Sequence, residues 1–451
     1  ALADWDGDGE LDWIFSAYSS GRLYVRHGEG DAAFGAPELV ADFGKLSAIG
    51  VMHGADGELD AFFLGVDDTY VIQWHPSTAQ ADTLGLLAKA QQFDFGDLNG
   101  DGLIDVAVAA QTSGECGVIF AAAGGGFDPE ILEFEVHQAT DVAIVPASGE
   151  QRLFTNSRTR GQVGYRTMQL GDASWEYVPL VEGIQYVRNM ASGDVNADGL
   201  DDVLVMVQGT NLNNGGPEYL YVCLALPDSG FDVSYVPTGT YFGYEVQLAD
   251  YDGDADLDAV VSDYNGDRVV GLRNNGAGVF ALADTLIANI NGCDDVALVD
   301  MDGDGDLDVV AAAWQGSDVM VALNDGQGAF ATPMELADTG NRCEAVAASD
   351  FNGDGFMDIA ACFENSGDVR VWLNAGSSAP LVFGAPQILA LNSAQDLQCA
   401  DADGDGDMDV IVAPSPGAPI PLLRNDGGLT FSDVGSAAQL GTHPSPLCVV
   451  A

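Results

Sequence analysis

The chain has 451 residues, with 70 Asp plus Glu against 14 Lys plus Arg, a formal net charge of −56 and 47% hydrophobic residues. That apolar fraction is typical of a packed globular protein and excludes a disordered acidic tail. The charge argues against binding DNA, RNA or an anionic membrane, each of which needs clustered Lys and Arg, and Lys45 and Lys89 are the only lysines.

In chain order, the first element is an acidic loop, DWDGDGELD from Asp4. It recurs as DLNGDGLID from Asp97, DVNADGLDD from Asp194, DYDGDADLD from Asp250, DMDGDGDLD from Asp300, DFNGDGFMD from Asp350 and DADGDGDMD from Asp401. Worn copies stand in the two gaps. MHGADGELD from Met52 keeps Asp56, Gly57, Glu58 and Asp60, and VPASGEQRL from Val145 keeps only Gly149. Nine units of about fifty residues therefore fill the chain, with no linker left over, and a single domain over 1–451 is expected.

Within a unit, the loop is followed by an apolar, β-branched run such as LDVVAAA (307–313), a turn at Gly316 and Ser317, and VMVALN from Val319. The Gly-rich turn NDGQGAF (324–330) leads into ATPMELA, and EAVAAS from Glu344 leads into the next acidic loop. The turn recurs as NNGAGVF from Asn274 and NDGGLTF from Asn425. This pattern predicts four short antiparallel strands per unit and almost no helix. Repeated four-stranded units are the blades of a β-propeller, so the expected fold class is all-β with nine blades. The final LCVVA from Leu447 has the character of the strand that precedes each acidic loop. Joined in register to Ala1, it would complete the first blade and close the ring.

The in-phase acidic loops, together with FGAP at Phe34–Pro37 and Phe383–Pro386, resemble the FG-GAP and VCBS-type repeats of integrin α-subunit propellers and secreted bacterial propellers. The resemblance covers nearly the whole chain. It implies adhesion, recognition of a glycan or protein, or a scaffold role, and it implies seven or eight blades as the alternative to nine.

Three or four carboxylates within nine residues repel one another unless a cation neutralises them. The spacing D-x-[DN]-x-D-G-x-x-D offers side-chain oxygens at positions one, three, five and nine, and a backbone carbonyl at position seven. That is an all-oxygen cage suited to Ca²⁺, with Mg²⁺ the weaker fit and Zn²⁺ or Cu²⁺ disfavoured by the lack of His and Cys. The expected ligands are Asp4, Asp6, Asp8 and Asp12; Asp97, Asn99, Asp101 and Asp105; and Asp194, Asn196, Asp198 and Asp202. The later loops supply Asp250, Asp252, Asp254 and Asp258; Asp300, Asp302, Asp304 and Asp308; Asp350, Asn352, Asp354 and Asp358; and Asp401, Asp403, Asp405 and Asp409. About seven Ca²⁺ sites are expected, with the two worn loops empty. Ala255 replaces the usual sixth-position glycine, which predicts local strain.

Catalytic signatures are lacking: there is no Gly-x-Ser-x-Gly elbow, Walker loop or HExxH. His27 and His75 share a phase but read as ordinary histidines. Cys362 and Cys399 are the one candidate disulfide, set against the reading of the cysteines as small buried apolar residues. Trp74 and Trp372 share a phase that suits packing between blades, Trp314 is among those that could stack on a sugar, and Trp5 is expected to be exposed. The expectation is a non-enzymatic, calcium-stabilised module, extracellular or on a cell surface, that binds a protein or glycan or serves as a scaffold. The alternatives are a self-assembling filament or surface-layer subunit and a propeller-based polysaccharide lyase or hydrolase. The opening ALADWDGDGE lacks the basic and apolar regions of a signal peptide, as expected if such a segment was removed or if the chain is part of a longer protein.

Overall fold

The structure, a computed structural model, describes residues between Leu2 and Asp433. Description is nearly continuous from 230 to 401, and elsewhere it covers the strands and some of their connections. The described residues form nine four-stranded sheets, each a simple antiparallel meander of strands consecutive in the chain. No helix occurs among them, as the sequence patterns predict. The sheets match the units read from the sequence. The seventh, for example, contains Cys293–Val299, Asp308–Ala313, Asp318–Ala322 and Met334–Asp338. The units with worn loops also form complete four-stranded sheets.

Strand two of a unit opens on the buried ninth-position aspartate and is otherwise mostly apolar because it is covered on both faces. In the fifth to eighth sheets every residue of this strand is buried (Asp202–Val207, Asp258–Asp263, Asp308–Ala313 and Asp358–Phe363). The core therefore lies between consecutive sheets. One cluster joins Val310 and Val321 of the seventh sheet to Val346, Phe363 and Trp372 of the eighth, and another joins Leu204 and Leu220 of the fifth to Val246 and Val261 of the sixth. Each fully buried Val or Leu contributes roughly 1.5–3 kcal/mol. Trp74 and Trp372 are buried, which is the packing role expected of their shared phase, whereas Trp5 lies outside the described residues.

The first strands of consecutive sheets lie against one another from the second sheet to the fourth and from the fifth to the ninth, and side chains join several of them. Asn189 Oδ1 accepts the Val246 amide, Gln247 Nε2 donates to the Val296 carbonyl and Asp295 Oδ2 accepts the Val346 amide. This places the sheets around their first strands in the manner of propeller blades. The run from Leu447 expected to close the ring lies outside the described residues. Cys362 and Cys399 are free thiols, so the candidate disulfide is not formed. Cys223, Cys293, Cys343 and Cys362 are fully buried among apolar neighbours, and burial pushes the Cys223 thiol up to about 12.

Candidate metal centre

Each described acidic loop joins the end of a sheet's first strand to the start of its second, as in the Asp250 loop between Gly243–Ala249 and Asp258–Asp263. The first aspartate organises the turn. Asp300 Oδ1 accepts the amides of Gly303 (2.8 Å) and Asp304 (3.1 Å), and its Oδ2 accepts that of Gly305 (3.0 Å). The bonds from residues five and six recur at Asp97, Asp194, Asp250 and Asp350. The fifth aspartate accepts the amide of residue seven, at 2.8 Å in Asp101 and 3.1 Å in Asp304. The backbone must turn left-handed at position six, where Gly102, Gly199, Gly305, Gly355 and Gly406 have φ between 86° and 96°. Ala255 takes the same conformation at φ 73°, as anticipated, at a steric cost that glycine avoids.

This folding draws carboxylates together. Oxygens of Asp250, Asp252 and Asp254 lie within 4.8 Å of one another, and so do those of Asp300, Asp302 and Asp304. Asp302 is only 9% exposed, and its buried Oδ1 has no hydrogen-bond partner; Asp252 Oδ1 is in the same position. A buried, unsatisfied carboxylate oxygen among like charges is costly, and a hard cation with oxygen ligands relieves it. The donor set therefore fits Ca²⁺. In the loops at Asp194 and Asp350 the third position is asparagine, and Asn196 and Asn352 each accept the amide of the fifth residue through Oδ1. Of the expected ligands, Asp4, Asp6, Asp8, Asn99, Asp403 and Asp405 lie outside the described residues.

The ninth-position aspartates are not part of the three-carboxylate groups. Asp12, Asp105, Asp202, Asp258, Asp308, Asp358 and Asp409 are fully buried at the start of the second strand. Asp308 Oδ2 accepts the Met301 amide at 2.8 Å and its Oδ1 accepts the Asn324 amide at 2.7 Å, and the pattern repeats at Asp105, Asp202 and Asp358. Burial pushes Asp202, Asp308 and Asp358 up to about 6 and Asp258 up to about 7, against the opposing effect of these amide bonds. These residues latch the loop to the turn after the third strand. Each oxygen has a second lone pair, so the latch and a ligand role are compatible.

The sequence reading missed a residue that joins neighbouring loops. Asn324 Nδ2 donates to the Tyr251 carbonyl of the preceding loop (2.6 Å) and to the Leu307 carbonyl of its own (3.0 Å). Asn274, Asn374 and Asn425 bridge to Val195, Met301 and Phe351 in the same way. Its signal was present in the recurring asparagine that opens the Gly-rich turn, which composition alone classed as turn chemistry. A second missed residue is Arg273. Its guanidinium pairs with Asp252 (2.8 Å) and Asp284 (2.9 Å) and donates to the Gln327 carbonyl of the next sheet (3.2 Å).

The structure is similar, at low identity, to several solved proteins. A lectin of Agrocybe aegerita, described for recognition of non-reducing terminal N-acetylglucosamine, is 19% identical over 77% of this chain and 90% of its own, with a TM-score of 0.44. The Dos1 propeller is 9% identical over 86% and 91%, with a TM-score of 0.45. A protein of unknown function from Desulfotomaculum acetoxidans is 12% identical over 75% and 99%, also at 0.45. No curated protein matches the chain significantly. The model of the FG-GAP-like repeat matches at 250–311, 300–361 and 350–412, three overlapping consecutive positions that each begin at one acidic loop and extend through the next. Over residues 250–412 the chain carries FG-GAP-like repeats.

Proposed function

We propose that the protein is a calcium-stabilised β-propeller, extracellular or on a cell surface, acting as a non-catalytic binding, adhesion or scaffold module for a protein or glycan ligand. In this reading the nine sheets form one domain and the C-terminal run closes the ring. The observation that carries the calcium reading is the buried Oδ1 of Asp302, without a partner beside Asp300 and Asp304. The ion would be held by the first, third and fifth side chains of each loop, with the ninth aspartate contributing its remaining lone pairs. Bound Ca²⁺ supplies positive charge where the fold has concentrated carboxylates.

The chain's own residues do the rest. The ninth aspartates and the bridging asparagines connect each loop to the third-strand turn and to the loop before it, so order in one loop supports order in the next. A site filled at 100 times its dissociation constant adds ~2.7 kcal/mol to stability. Dependence on calcium suits a calcium-rich compartment, which is the basis for the extracellular assignment.

Thermal unfolding in millimolar Ca²⁺ and in chelator tests this reading, with calorimetric titration giving the stoichiometry. The midpoint should fall on chelation and about seven ions should bind. An unchanged midpoint with no ion uptake would refute it.

A further inference from the structure

The end of the sheets opposite the acidic loops carries a different concentration of chemistry. The segment Tyr241–Phe242 enters the first strand of the sixth sheet, and Asp263, at the end of the second strand, holds it by accepting both amides (2.8 and 3.1 Å). Tyr264 follows Asp263, and its amide donates to the Phe242 carbonyl (2.9 Å). This anchoring assembles a chain of rings. Phe242 and Tyr264 have centroids 5.7 Å apart, Tyr244 and Tyr264 6.1 Å, and Tyr264 and Trp314 of the seventh sheet 6.0 Å. Tyr241 is 57% exposed and Tyr244 43% exposed. Solvent-facing aromatic rings whose backbone is held by the buried Asp263 carboxylate form a surface built before any partner arrives.

Carboxylates border the rings. Glu344 Oε1 accepts the Trp314 indole N–H at 2.7 Å, and burial pushes Glu344 up to about 7. Burial likewise raises Asp294 to about 6, with Glu245 the next contributor. Burial disfavours the ionised form of these carboxylates, and a cation brought between Glu344 and the aromatic faces restores it and is attracted to both. The eighth sheet already supplies one example: the Arg342 guanidinium lies 3.9 Å from the Trp314 ring centre and pairs with Glu364 at 2.9 Å. The net charge of −56 adds long-range attraction of the same sign.

We propose that this aromatic–carboxylate shelf, spanning the sixth to eighth sheets, docks a partner protein segment that presents arginine or lysine side chains. The inference gives a ligand class to the binding-module reading and does not depend on the calcium loops, which occupy the other end of the same sheets.

The test is binding of a labelled tri-arginine peptide in saturating Ca²⁺ and physiological salt, with tri-alanine and a neutral maltohexaose as comparison probes. Tyr241→Ala and Tyr244→Ala remove exposed rings, and Tyr235→Ala, at an exposed tyrosine on the outer strand of the fifth sheet, serves as the control. The shelf variants should each weaken tri-arginine about fivefold, as loss of an exposed cation–π contact implies, while the control binds as the parent does. Glu344→Gln, which keeps an acceptor for Trp314, should weaken binding further in combination with Tyr244→Ala. Equal affinity of parent and shelf variants would place the peptide elsewhere on the acidic surface and overturn the proposal. Preference for maltohexaose, lost in Tyr244→Ala, would also overturn it by making the shelf a glycan site. The calcium response of the midpoint, read on the same samples, reports separately on the metal reading.

Discussion

The loops beginning at Asp250 and Asp300 start from almost the same sequence, DYDGDADLD and DMDGDGDLD, and the structure gives them different electrostatics. In the first, Arg273 pairs with the third-position Asp252 and reaches the backbone of the next sheet at Gln327. In the second, the residue at the corresponding place, just before the bridging Asn324, is Leu323, which packs into the apolar core. Asp308 accepts two backbone amides, whereas Asp258 accepts the Asn274 amide through Oδ1 while its buried Oδ2 has no hydrogen-bond partner. Position six is Gly305 in one and a left-handed Ala255 in the other. A loop can thus be neutralised in part by the protein's own guanidinium or have no such cation from the chain beside it, and the repeat motif alone does not distinguish the two.

The largest expected effect breaks the latch. In chelator, Asp308→Ala leaves the Met301 and Asn324 amides buried without acceptors and should cost about 3 kcal/mol, while Asp258→Ala strands one amide and should cost about half as much. Equal losses in denaturant melts would show that the two latches are equivalent after all. Exchanging the residue at the bridging place comes next. Arg273→Leu should cost ~1–2 kcal/mol in chelator and less in Ca²⁺, widening the gap between the two midpoints. Leu323→Arg should narrow that gap, and a gap that moves in neither variant would remove Arg273 from the account. Gly328→Ala attacks the same contact from the neighbouring sheet. Its Cβ would come 2.6 Å from Arg273 Nη2, at a position where φ is +75°, and the variant should reproduce the chelator sensitivity of Arg273→Leu. The smallest effect is a gain: Ala255→Gly relieves the left-handed alanine and should stabilise by ~1 kcal/mol, with Gly305→Ala losing a similar amount.

Much of this was readable beforehand because the repeat is local. Four strands per unit follow from short apolar runs separated by glycine-rich turns, and each acidic loop lies where its phase within the unit predicts. The first, third and fifth aspartates converge because the intervening turn is set by residues within the same nine-residue stretch. The roles of Asn324, Arg273 and the ninth aspartates were not readable in the same way. The partners that give them these roles, Asn324 for Asp308, Gln327 for Arg273 and Tyr251 for Asn324, are 16, 54 and 73 residues distant and belong to another turn or another sheet. Spacing assigned Asp308 to the ion, and only the folded chain shows it also bonded to Met301 and Asn324.

The tryptophans teach the same lesson. Trp74, Trp314 and Trp372 are alike as letters, yet two are buried in the packing and Trp314 connects a ring cluster to Glu344 and Arg342. What the linear pattern established is the all-β repeat, the acidic loops and the ligand chemistry that suits calcium, since each is encoded within a single unit. What required the assembled sheets is which carboxylates are satisfied by backbone amides, which loop carries its own cation, and where aromatic rings from separate units meet. Those outcomes depend on contacts between units, and a repeat motif specifies the unit and not its neighbours.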